Sequence, residues 1–200
     1  MFCIGIAGNI GSGKSEASKC FQQLGITVIS ADAISRELTA VNTPNFKKIV
    51  DYFGESIINQ QGELNRKALR DLIFSNTTMR LWLENLLHPL IRQIIYERIQ
   101  HSNSSYCVIE IPLLTNKQDY PYLNRILVIT ANQDIKIKRI MQRDQCDRAD
   151  AMAIIATQQT ETFLRLIADD VIVNNGSIKL LKKHIGFLHD NYLSCSLKSE

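Results

Sequence analysis

The sequence predicts an α/β fold: a five-stranded, mostly parallel sheet flanked by helices, with a helical insertion after the second strand. Three observations carry that prediction. Short apolar runs with strand character alternate with stretches of helical spacing. A glycine-rich segment, Gly8-Asn9-Ile10-Gly11-Ser12-Gly13-Lys14-Ser15, stands between the first apolar run and the first helical pattern. One long stretch, residues 31–105, carries several helical patterns and no convincing strand.

In chain order, residues 2–7 form the first apolar run. After the glycine-rich segment, Ala17, Cys20, Phe21 and Leu24 recur at helical spacing, and a second strand run covers residues 26–30. Residues 45–53 and 65–74 are helical by period, with Asn65 as a helix N-cap and Gly54 and Gly62 as stop or turn residues. A further pattern begins at Met79. Pro89 interrupts it, so one helix is expected to end near His88 and another to start with Pro89 in its first turn and run to about Gln100. Residues 106–111, 125–130 and 171–173 complete the strands. Residues 177–192 read as a closing helix, with fraying expected over 194–200.

The glycine-rich segment has the chemistry of a phosphate-binding loop. Gly8, Gly11 and Gly13 let the backbone curl into a nest of N–H donors, and the following helix directs its positive end at the same anion. Lys14 extends toward the β and γ phosphates of a nucleotide, and the Ser15 hydroxyl is a Mg²⁺ ligand in such loops.

Composition excludes several other classes. The formal charge of +3 over 200 residues, with no block of like charges, gives no electrostatic footprint for nucleic acid; residues 136–139 alternate basic and apolar side chains. The five cysteines are spread out, with no Cys-x-x-Cys pair and no histidine at ligand spacing, and read as reduced thiols of a cytoplasmic protein. The opening apolar run gives way at once to the phosphate loop, and no segment approaches about 18 continuous apolar residues, so neither secretion nor a membrane span is expected.

Two short patterns suggest a GTPase instead: Asp51-Tyr52-Phe53-Gly54 and Asn116-Lys117-Gln118-Asp119. Context opposes both. Asp51 falls within the helical spacing Phe46, Ile49, Val50, Phe53, whereas a γ-phosphate sensor belongs at a strand end, and Asn116 is set off from its strand by Pro112-Leu113-Leu114. Asp32 is the stronger candidate, because it closes the second strand run, where strand ends and the phosphate loop share one crevice. A carboxylate there can accept a proton from, or orient, an attacking hydroxyl; capping the helix at residues 33–38 is the structural alternative. Arg139 and Arg143 share a helix face and can clamp a transferring phosphoryl group as a lid, or can form a solvated face paired with Asp144 or Asp134. Glu110 ends an apolar strand run and suits an outer support for Mg²⁺, with a position on a sheet edge as the alternative. His88 and Arg92 could flank an anion, although a helix-capping histidine is the commoner outcome.

Taken together these residues resemble the dephospho-coenzyme A kinase family of P-loop kinases. The resemblance runs nearly end to end: the loop from Gly8 to Ser15, Ala31-Asp32 with Arg36-Glu37, Gly62-Glu63-Leu64-Asn65-Arg66, Leu69-Arg70, Leu86-Leu87-His88-Pro89, Pro112-Leu113-Leu114, Gln142-Arg143-Asp144, Gln158, Ala168-Asp169-Asp170-Val171-Ile172 and Asn174-Asn175-Gly176. It implies transfer of the ATP γ phosphate to the 3′-hydroxyl of dephospho-coenzyme A, with Mg²⁺. It further implies that Gly8, Gly11, Ser12, Gly13, Lys14, Ser15 and Glu16 bind the ATP phosphates, with Asn175 near adenine. Ser15 would hold the metal, Asp32 would be the base, Arg139 and Arg143 the lid arginines, and Arg36, His88 and Arg92 the acceptor contacts. The domains it implies are a nucleotide core (1–32, 104–138, 168–200), a helical acceptor region (33–103) and a lid (139–167), in a monomer or small homo-oligomer.

This chain departs from the family pattern in four places. Asn9 replaces a glycine, a change expected to be tolerated because asparagine accepts a left-handed backbone. Ser30 replaces an aspartate, Asn116 an acid, and Leu164 a basic residue beside Arg165. A nucleoside or nucleotide kinase, or a nucleotide-binding regulatory protein, remains the alternative reading.

Overall fold

The computed structural model describes residues 1–112, 114 and 117–198; Leu113 and Asn116, named above, lie outside them. In chain order the elements are β1 (Phe2–Ala7), α1 (Lys14–Gln23), β2 (Thr27–Ser30), α2 (Ala31–Leu38), α3 (Pro44–Phe53), α4 (Arg66–Ser75), α5 (Thr77–Gln100), β3 (Tyr106–Glu110), β4 (Arg125–Thr130), α6 (Gln133–Asp144), α7 (Arg148–Ala156), α8 (Glu161–Ile167), β5 (Asp170–Val173) and α9 (Ile178–Ser196). Two compact units result, Met1–Ser30 with Arg98–Glu200, and Ala31–Glu97.

The first unit holds the sheet, with strand order β2-β3-β1-β4-β5 and every pairing parallel. A parallel sheet covered on both faces needs near-continuous apolar strands, and β1 is buried along its whole length. From β1 the chain goes to one side for β2 and β3 and to the other for β4 and β5. The loop after β1 therefore opens where the strand order reverses, the usual ligand position in such sheets. Phe21 of α1 and Tyr192 of α9 stack against each other, and both pack edge-on to Tyr106 of β3, joining two helices to the sheet in one core.

The second unit has its own core, built on Ile49, Ile57, Leu64, Leu69, Leu83 and Leu87. Its helix starts follow the sequence: the Thr43 hydroxyl caps α3 through the Phe46 amide, and the Asn65 side chain caps α4 through the Ala68 amide. Gly54, at φ 83°, ends α3. Two helix boundaries differ from expectation. Pro89 does not divide the chain: α5 runs unbroken from Thr77 to Gln100 with the proline inside it. An internal proline costs about 3 kcal/mol, and the buried Leu83 and Leu87 in the preceding turns offset it by anchoring the helix in this core, at about 1.5–3 kcal/mol each. The closing helix continues to Ser196, past the expected fraying point, because Tyr192 and Ser196 are buried and hold the last turns down.

Burial also sets an alkaline limit on stability. The Cys3 thiol is pushed up to about 12, chiefly by desolvation and then by Cys107; Cys20 and Cys107 are raised by burial as well. The hydroxyls of Tyr106 and Tyr192 are raised by burial first, with Asp190 and Asp170 respectively adding to it. In the unfolded chain thiols release protons near pH 8.5 and tyrosines near pH 10, while the folded protein keeps them. The folded state then binds more protons, so this contribution is complete below about pH 8.5 and is lost as pH rises, by about 1.4 kcal/mol per pH unit for each retained proton. Urea midpoints at pH 8 and pH 10 are expected to show a clear fall; equal midpoints would contradict it.

Candidate active site

The phosphate loop is shaped by contacts that leave no room for side chains. Gly8 has φ 148°, and a Cβ on it would lie 2.2 Å from the Ile129 carbonyl oxygen of β4; Gly13 has φ 101°, and its Cβ would lie 2.3 Å from Asn174 Nδ2. Both positions require glycine. Ser12 donates its amide to the Asn9 carbonyl at 3.1 Å, closing the turn, and its side chain is fully buried. Lys14 opens α1, and its Nζ donates to the Gly8 carbonyl, folding the ammonium back over the loop. Glu16 lies in the first turn of α1 and pairs with Lys19 on the surface.

At the start of the same helix, the Ser15 hydroxyl donates to Glu110 Oε1 at 3.1 Å. Glu110 ends β3, which runs between β2 and β1, so it is on an interior strand and not on a sheet edge. A hydroxyl and a carboxylate side by side are the modest protein donor set that Mg²⁺ takes when phosphates and water complete its shell. No group of three or more His, Cys, Asp or Glu suited to a metal ion occurs among the described residues.

The two arginines of α6 have different surroundings. Arg139 Nη1 donates to the Gly11 and Ser12 carbonyls at 3.0 and 3.2 Å, and its Nη2 to the Asn174 carbonyl at 3.0 Å. Arg143 instead makes a bidentate pair with Asp144, both bonds 2.7 Å, which raises its guanidinium pKa. That pair is solvent-exposed and contributes only about 0–1 kcal/mol, so a phosphate can displace the carboxylate cheaply.

Residues 158–159, between α7 and α8, also hold the loop. The Asn9 side-chain amide donates to the Gln159 carbonyl at 2.9 Å, and the Ile10 N–H donates to Gln158 Oε1 at 3.2 Å. Ile10 packs with Ile137, Ile140 and Ala151 in a small apolar cluster of α6 and α7. Beyond β5, Asn175 and Asn132 exchange two bonds, from the Asn132 backbone amide to Asn175 Oδ1 at 2.8 Å and from Asn175 Nδ2 to Asn132 Oδ1 at 2.9 Å.

In the helical unit, Asp32 is within the first turn of α2, two residues beyond the end of β2, and so is neither a strand-end residue nor the cap of a later helix. It is exposed, and Arg36 follows one turn on. Arg66 donates to Thr39 Oγ1 at 3.0 Å, and its guanidinium pKa is lowered by desolvation first and Arg36 second, against Glu63 and Asp32. Asp32, Arg36, Glu63 and Arg66 thus form one charged group. His88 is exposed in mid-α5, with Arg92 one turn away on the same face; it caps no helix. Asp51 lies in α3, which removes the GTPase reading of its motif.

A family model described as dephospho-CoA kinase matches residues 2–179. The chain belongs to the dephospho-CoA kinase family. A dephospho-CoA kinase of Legionella pneumophila is 47% identical over 193 residues, covering 96% of each chain. Among solved structures, a Thermus thermophilus protein matches with TM-score 0.80 at 28% identity, over 95% of this chain and 97% of that one. A dephospho-CoA kinase from Campylobacter jejuni matches with TM-score 0.69 at 28% identity, over 96% and 97%.

Two departures from the family pattern acquire physical explanations. Asn9 is not in the left-handed region: among described residues, only Asn42 and Gln145 are non-glycine with positive φ. Its side chain is accommodated by its bond to Gln159, not by backbone tolerance. Leu164 is buried in α8, while Arg165 beside it pairs with Glu161 on the surface, so position 164 serves packing here. Arg66 and Asn174 stand within stretches that carry the family resemblance, but nothing local in the sequence gives either of them, or Asn132, its partner, which is distant in the chain.

Proposed function

We propose that the protein transfers the γ-phosphoryl group of ATP to the 3′-hydroxyl of dephospho-coenzyme A, releasing coenzyme A and ADP. Family membership supports the reaction, and the single structural observation that carries it is the braced loop from Gly8 to Ser15. The acceptor oxygen forms a bond to Pγ while the bond from Pγ to the β,γ-bridging oxygen breaks, and the hydroxyl proton passes to Asp32.

In this reading the amides from Gly11 to Glu16 and the Lys14 ammonium hold the β and γ phosphates, with Gly8 shaping the loop's entry. Ser15 holds Mg²⁺, with Glu110 supporting it; the ion when bound neutralises charge on the phosphate oxygens. Arg139 steadies the loop and the phosphates together, and Arg143 exchanges Asp144 for the transferring group, excluding water as the lid closes. Arg36, His88 and Arg92 meet anionic groups of the acceptor, and Asn175 lies near adenine. We place the enzyme in the cytoplasm, in keeping with five cysteines that form no disulfide, as a monomer or small homo-oligomer. No helix among the described residues is long and apolar enough to cross a membrane.

The test pairs ATP or GTP with dephospho-coenzyme A or nucleoside monophosphates and follows coenzyme A and nucleotide products by chromatography. Coenzyme A should form with ATP and Mg²⁺; turnover restricted to the monophosphates would instead identify a nucleotide kinase. In the same assay Asp32→Asn should lower kcat by about 10²-fold and leave KM for ATP near that of the parent. An unchanged kcat would remove Asp32 as an essential base.

A further inference from the structure

Asn174 lies just past β5 and is only 7% exposed. Its backbone amide continues the sheet by donating to the Thr130 carbonyl at 2.7 Å. From that fixed base its side chain reaches under the phosphate loop, where Nδ2 donates to the Ser12 carbonyl at 2.8 Å, a buried bond. Its own carbonyl accepts from Arg139 Nη2, while Arg139 Nη1 donates to the same Ser12 carbonyl and to that of Gly11. Ser12 O therefore has two donors, one neutral and one charged, and both are tied to residue 174.

In a trans peptide the C=O of Ser12 and the N–H of Gly13 point in opposite directions in one plane. Fixing the carbonyl from below by two donors fixes the Gly13 N–H on the other side, and donors on the carbonyl also polarise that N–H. A donor oriented before its anion arrives costs no reorganisation when charge shifts onto the phosphate oxygens.

We propose that Asn174 is a positioning residue for phosphoryl transfer: with Arg139 it forms a bracket beneath Ser12 that sets the direction of the Gly13 N–H before ATP binds. This rests on the reading of residues 8–15 as the ATP loop. It gives residue 174 a task that its place beside Asn175 does not suggest. The lack of space for a Cβ on Gly13 belongs to the same bracket, since that Cβ would meet Asn174 Nδ2.

Two variants and two readouts test it. Asn174→Ala removes the donor, and Asn174→Asp keeps the shape while turning a carboxylate oxygen toward the Ser12 carbonyl. Both are expected to lower kcat/KM for ATP at least tenfold, with KM for dephospho-coenzyme A unchanged. Without nucleotide, Asn174→Ala should speed hydrogen exchange at least tenfold at the Ser12 amide, whose bond to the Asn9 carbonyl closes the loop that the bracket holds, with the strand amides of β1 and β4 unaffected. Unchanged ATP kinetics together with unchanged Ser12 exchange would overturn the proposal. So would a general loss of protection across the sheet in both variants, which would make Asn174 merely structural. If the wild-type protein failed to bind ATP, the loop reading would fall, while Ser12 exchange would still report on the bracket.

Discussion

Lys14→Ala is expected to lower kcat/KM for ATP by about 10²- to 10³-fold, with the folded state almost undisturbed. Lys14 is the first residue of α1, and its ammonium is held over the loop by the Gly8 carbonyl. The variant gives up that hydrogen bond, about 0.5–1.5 kcal/mol, and gains slightly in helix propensity. Its melting temperature should therefore fall by no more than about 2–4 °C. The lost charge is another matter, because an ammonium aimed at the β and γ phosphates acts where negative charge is carried through the transition state. The two effects separate cleanly in measurement: titration with ATP and a steady-state assay should both show the loss, while KM for dephospho-coenzyme A stays put. Parent-like ATP kinetics in this variant would remove Lys14 from the site.

Legibility in the sequence depended on how locally each feature is determined. The strands were legible because a parallel strand buried on both faces must be an apolar run, and β1 and β4 begin and end where their runs do. The phosphate loop was legible because its chemistry is concentrated in consecutive residues. Pro89 was misleading for the opposite reason: the proline is a local signal to stop, and the buried leucines that carry α5 past it act through a core shared with α3 and α4. Arg139 and Arg143 are equivalent by helical spacing, yet one meets three backbone carbonyls and the other a neighbouring aspartate. That difference depends on the loop and the end of β5 being beside α6. Asn174 contacts a residue far earlier in the chain, and only the folded sheet brings the two together.

Gly8→Ala should destabilise the protein by about 3–5 kcal/mol and lower its apparent melting temperature by about 10 °C or more. Two costs add at this position. An alanine at φ 148° takes a backbone conformation that L residues avoid, and its Cβ would lie 2.2 Å from the Ile129 carbonyl oxygen. Ile129 belongs to β4, which is paired on one side with β1 and on the other with β5, so the obstructing atom cannot move without disturbing three strands. Gly13→Ala differs in kind, because its Cβ meets the Asn174 side chain, which can swing away at the expense of its bond to Ser12. That variant should keep more of its stability and lose more of its ATP affinity for each degree of melting temperature lost. Gly186→Ala supplies the internal comparison: Gly186 lies within α9 on an ordinary helical backbone, and an alanine methyl there would enter open space. The added methyl group should stabilise the helix by about 0.5–1 kcal/mol. Thermal melts of the three alanine variants, run beside ATP titrations, should therefore rank Gly186→Ala above the parent, Gly13→Ala below it and Gly8→Ala lowest. A Gly8→Ala protein with the parent's melting temperature and ATP affinity would mean that β4 does not confine the loop.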